Sequence, residues 1–89
     1  MITFKQGQPM QFLIYKTHLP QIESAYHIIL KNSFSDFERE LSFDVFELFN
    51  AFKIEVRDIN LSAIAGQNTL LVLDENGDTI YRESAFIIE

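Results

Sequence analysis

Apolar and polar positions alternate with a period of two at both ends of the chain and take a helical spacing in the middle. Ile2 and Phe4 alternate with polar neighbours, Gln6-Gly7-Gln8-Pro9 supplies turn chemistry, and Met10, Phe12 and Ile14 share one face of a second strand. Leu13 and Tyr15 take its other face. The pattern therefore predicts a hairpin over 2–16 whose second strand is covered on both sides.

From Leu19 to Lys31 the spacing predicts a helix. Pro20 fits a first turn, where a missing N–H is harmless. Ile22, Ala25, Tyr26, Ile29 and Leu30 supply an apolar face, and Glu23, His27 and Lys31 recur every four residues on the polar side. Asn32–Ser35 breaks this pattern. Ser35-Asp36-Phe37-Glu38 then matches the S-x-x-E capping box, which opens a second helix running to Phe52. Its apolar stripe would be Phe37, Leu41, Val45, Leu48, Phe49 and Phe52. Ser42 offers a further cap that would split this helix in two.

The period returns to two after Lys53. Ile54 and Val56 alternate, and Ile59, Leu61 and Ala63 continue in the opposite phase, which predicts a bulge or turn at Arg57-Asp58. Ala65–Asn68 reads as a loop and Leu70–Leu73 as a central strand. Asn76-Gly77 fits a type I′ hairpin turn, since both residues tolerate positive φ. The last strand runs through Tyr81 and resumes over Ala85–Ile88. The resulting order, β-β-α-α-β-β-β, predicts an α+β fold with a mainly antiparallel sheet and helices on one face.

Composition sets the scale. Eighty-nine residues, 47% hydrophobic and 22% charged, make a single domain over 1–89 with one core. Without cysteine there is no disulfide, thiolate metal site or thiol nucleophile. The longest apolar runs are four residues, against about 20 for a membrane span, and the N-terminus lacks a signal-peptide pattern. A cytoplasmic protein that does not enter membranes is expected. The net charge of −6 disfavours direct nucleic-acid binding, and the seven basic residues are scattered.

Charge also singles out one segment. Residues 34–52 hold five acids against Arg39, and on a continuous helix Asp36, Glu40, Asp44 and Glu47 would form a ridge with steps of about 6 Å. Such a ridge suits docking to a basic protein surface, or imitation of a row of phosphates; the plainer alternative is a solvated face. Phe43 and Phe46 would point away from the apolar stripe as exposed anchors, unless a break at Ser42 turns them inward.

No enzyme signature is present: neither G-x-G-x-x-G nor a P-loop, no G-x-S-x-G and no H-E-x-x-H. Asp74-Glu75-Asn76-Gly77-Asp78 alternates oxygens as a calcium loop does, but Thr79 and Ala85 stand where an EF-hand needs Gly and Glu. Glu23 and His27 at i, i+4 are two weak ligands and read as a solvated pair. His18 reads as a capping or surface residue.

The expectation is a small acidic, non-enzymatic protein-binding protein without cofactor or metal, of the physical type of inhibitors, immunity proteins and nucleic-acid mimics. Its site would be Asp36, Glu40, Asp44 and Glu47 with Phe43 and Phe46, and its partner a basic protein. The alternative is a self-assembling structural or adaptor subunit, a homo-oligomer held by exposed aromatics or by a sheet edge, with the first strand and residues 85–88 as candidate edges.

Overall fold

The computed structural model describes residues 2–5, 7–23, 25–35, 37–57 and 65–88. Over these residues the regular structure is all strand: β1 (Ile2–Lys5), β2 (Met10–Tyr15), β3 (His27–Asn32), β4 (Glu38–Leu41), β5 (Phe43–Glu47), β6 (Ala51–Val56), β7 (Gly66–Leu73) and β8 (Thr79–Ile88). Two sheets result, one ordered β1-β8-β7-β3-β4 and the other β2-β6-β5. Neighbours are antiparallel except β1 and β8, which run parallel. Neither expected helix exists among the described residues, so the α+β expectation is replaced by an all-β, two-sheet fold.

The two sheets share one core. Phe4, Ile28, Leu30, Leu41, Leu70, Val72, Ala85 and Ile87 of the larger sheet form a cluster with Met10, Phe12, Ile14, Phe52, Ile54 and Val56 of the smaller. The rings of Phe4 and Phe12 bridge the sheets with centroids 5.8 Å apart.

The reason the helices fail is that both segments also satisfy a period of two. Leu41, Phe43 and Val45 alternate with Ser42 and Asp44, and aromatic and β-branched residues favour a pleated, half-buried surface. Residues 38–52 of the expected helix therefore become β4, β5, a turn at 48–50 and the first residues of β6. The capping chemistry at Ser35 survives in another role. Its Oγ accepts from the Phe37 N–H (3.2 Å) and donates to Asn32 Oδ1 (3.3 Å), which accepts from the Phe34 N–H (2.9 Å), tightening the turn between β3 and β4. In the segment 19–31 the run Ile28-Ile29-Leu30 fits either period. Pairing on both sides, with β7 and β4, makes it a strand. The residues before it cross irregularly between the sheets, with Leu19 in the core and Ile22 and Tyr26 packed against it.

At the ends of the chain the strands were legible and some of their partners were not. β1 and β2 belong to different sheets and do not form a hairpin, because β1 pairs with β8 and β2 with β6. Leu13 and Tyr15 lie on the outer face and are exposed rather than covered. Ala85–Ile88 is interior, held between β1 and β7, whereas β1 is an edge as expected. The expected loop at 65–68 is largely strand, since β7 starts at Gly66. Leu70–Leu73 does belong to a central strand, with Leu70 and Val72 fully buried. The phase slip at Asp58 and the run Ile59–Ala63 lie outside the described residues.

The hairpin at Asn76-Gly77 joins β7 to β8, with a different turn from the one expected. Only Gly77 has positive φ (87°), so Asn76 does not adopt the I′ conformation. The Gly77 N–H closes the turn on the Asp74 carbonyl (3.0 Å), and the Asp74 N–H bonds the Asp78 carbonyl (2.9 Å), a three-residue loop with glycine in the left-handed position. The Asp74 carboxylate accepts from the N–H groups of Asn76 and Asp78 and so organises the turn.

Candidate functional site

Between β4 and β5 the chain passes from one sheet to the other across a single residue. β4 is an edge of the larger sheet, β5 an edge of the smaller, and Ser42 alone joins them. Beside this corner lies an open groove of about 620 Å³. Its apolar lining is Ile22, Leu41, Phe43, Val45 and Phe52, and its charged lining is Glu40, Asp44, Glu47 and Arg57. Alternation along β5 turns Phe43 and Val45 toward the core, where both are half-buried, and leaves Asp44 on the outer face.

Arg57 fastens the corner. Its backbone N–H donates to the Ser42 carbonyl (2.8 Å), its guanidinium donates to the Phe43 carbonyl (3.1 Å), and its Nε lies 3.5 Å from Asp44 Oδ2. The other two acids also have side-chain partners: Lys16 Nζ is 2.9 Å from Glu47 and His27 Nδ1 is 2.9 Å from Glu40. These carboxylate side chains are 52–69% exposed, so each pair is worth at most about 1 kcal/mol and exchanges readily with another cation. Lys16 also sits over the Phe52 ring at 5.3 Å.

Three of the four acids expected to act together line this groove, but not as a ridge. Glu40 sits on β4, Asp44 and Glu47 on β5, and Asp36 lies outside the described residues. Evenly spaced acids required the helix, and the phosphate-row version of the site goes with it. Phe43 and Phe46 likewise separate: Phe43 packs toward the core, while Phe46 is exposed on the outer face with Lys53 Nζ 5.3 Å from its ring centroid. The expected pairing of Glu23 with His27 gives way to Glu40, and Glu23 instead accepts from the Gln21 side chain. His18 is exposed, as expected.

Sequence reasoning missed Arg57 and Lys16 as parts of this site: Lys16 meets Glu47 31 residues along the chain, and Arg57 reaches Asp44 only because β5 and β6 form a hairpin where a helix was expected. It also missed a patch on the outer face of the smaller sheet, where Leu13, Tyr15 and Phe46 are each more than 40% exposed around Lys53. Among the described residues no group of three or more His, Cys, Asp or Glu is placed to hold a metal ion, and no helix is long and apolar enough to cross a membrane. Comparison with protein-family models, curated proteins and solved structures gave no match.

Proposed function

We propose that this protein is a non-enzymatic binding module that takes a basic segment of another protein into the groove at the β4–β5 corner. The observation that carries this reading is the combination of an apolar floor (Phe43, Val45, Leu41) with three exposed acids beside it. Lys or Arg side chains of the partner would displace Lys16, His27 or Arg57 from these weak pairs, while an apolar side chain covers Phe43 and Val45. Charge complementarity of this kind speeds encounter and rejects acidic partners. Proteins that handle nucleic acid carry basic surfaces and are the natural class of partner.

The test uses amide NMR with a short alternating Lys/Val peptide and its Glu/Val counterpart. The basic peptide should shift resonances at Glu40, Phe43, Asp44 and Glu47, and bind at least about tenfold more weakly in high salt. Glu40→Gln, Asp44→Asn and Glu47→Gln together should remove binding with no loss of fold. Equal binding of both peptides, or shifts confined to other surfaces, refutes the reading. Capture of partners from cells with the wild type and this triple variant would then name the basic protein.

A further inference from the structure

Among the described residues each sheet has two edges, and three of the four are guarded. β1 is only four residues long and carries Lys5; β4 is equally short and carries Glu38, Arg39 and Glu40. β5 carries Asp44 and Glu47, and its Phe43 carbonyl is taken by the Arg57 guanidinium. Charge and shortness of this kind discourage edge pairing. β2 has neither protection. Met10–Tyr15 is six residues without a charge, alternating between buried and exposed along its length.

The direction of its backbone groups can be read from the flanking bonds. In the β2–β6 register Lys16 would face Asn50, and the Lys16 N–H donates to the Asn50 carbonyl at 3.0 Å. Hydrogen-bonded positions alternate, so Ile14, Phe12 and Met10 bond β6, and Gln11, Leu13 and Tyr15 aim their N–H and C=O groups away from it. Bonds on the other side of β6 agree, since Arg57 and Ala51, both odd-numbered, bond Ser42 and Leu48, the residues that flank β5. Two details mark the ends of the open edge. Pro9, in the same phase, has no N–H, and the Tyr15 carbonyl already accepts from His18 (2.9 Å) and Leu19 (3.1 Å).

We infer that β2 pairs with β2 of a second copy of this chain, antiparallel about a two-fold axis at Phe12, fusing the small sheets into one of six strands. In that register Gln11 exchanges both bonds with Leu13 of the second copy, and Pro9 faces Tyr15 of the second copy. The missing donor at Pro9 then meets the acceptor that is already occupied at Tyr15, and about six bonds form with no donor left over. An axis at Leu13 instead drives the Gln11 N–H onto the occupied Tyr15 carbonyl. This self-match is what selects a second copy over a foreign strand. Exposed Leu13 and Tyr15 add apolar contact on the outer face, and no like charges oppose. β5 lies on the far side of β6, so the interface leaves the acidic groove of each copy open and is independent of its proposed use.

Sedimentation across a concentration series tests the pairing. The wild type should dimerise by about 0.1 mM. Gln11→Glu with Leu13→Glu sets like charges face to face at two positions and should raise the dissociation constant at least about tenfold, with the β-sheet circular dichroism unchanged. Gln11→Lys with Leu13→Glu sets opposite charges face to face and should restore the dimer. A wild type that stays monomeric overturns the inference, as does a dimer untouched by the double Glu variant. Failure of the Lys/Glu variant to recover association overturns the Phe12 register.

Discussion

Single side chains in this protein act mainly by satisfying backbone groups or by sealing the core at its margins. Tyr81 does both. It packs against the core cluster, and its hydroxyl donates to Glu83 Oε1 at 2.5 Å. Burial first, then the hydrogen bond and the charge of Glu83, raise its pKa well above the ordinary value of 10.0. In the unfolded chain the phenol titrates near 10, while in the fold it keeps its proton to higher pH. The contribution is therefore complete below pH 10 and is lost as pH rises through the folded value. Melting temperature should fall through this alkaline range, and Tyr81→Phe should flatten the fall. Tyr26, also raised by partial burial and by Glu23, Glu75 and Asp74, would keep some slope in that variant. An unchanged slope in Tyr81→Phe would remove Tyr81 as the cause.

At the scale of elements, turn chemistry decides where strands reverse, and the β7–β8 hairpin shows it most clearly. Gly77 at φ 87° follows the turn that the Asp74 carboxylate organises. Gly77→Ala should cost about 1 kcal/mol in chemical denaturation because an L side chain is strained there, though nothing lies within 4 Å of the added carbon. Asn76→Gly should bring no gain, since Asn76 already has negative φ; a clear stabilisation would restore the I′ turn. Beyond the turn the register shifts, with Leu73 opposite Thr79 and Val72 opposite Tyr81, so Ile80 is an extra residue in β8. That bulge lets Ile80 and Tyr81 both pack against the core although they are adjacent in sequence. The hairpin's existence was legible from Asn76-Gly77, but its turn type and bulge depend on strand twist and on packing beneath the turn.

Closure of the whole molecule rests on strands from opposite ends of the chain. β1 covers β8 through a parallel register that sets Ile2 beside Ala85 and Phe4 beside Ile87. Removing residues 1–8 would uncover Ala85-Phe86-Ile87-Ile88, an uncharged apolar edge, and strip Phe4 from the core. The truncated protein should aggregate at concentrations where the full chain stays dispersed, as light scattering would show; clear solutions of a folded truncation would refute the closing role of β1. A Cα radius of gyration of 12.4 Å, against about 12 Å expected for this length, fits the tight packing of the described strands.

Local pattern by itself determined the strands with strict alternation, Met10–Ile14 and Ile54–Val56, the central run Leu70–Leu73 and the position of the last hairpin. It also fixed the acidity of residues 34–52. Tertiary structure decided the rest. Ile28-Ile29-Leu30 and Leu41-Ser42-Phe43-Asp44-Val45 satisfy two periods at once, and only partners on neighbouring strands choose between them. The same choice dispersed the expected acidic ridge. Spacings of three and four share a helix face, but in strands Asp44 and Glu47 take opposite faces, and Ser42 carries Glu40 to another sheet. The groove, its Arg57 fastening and the open β2 edge arise from long-range pairing, which no single window of sequence contains.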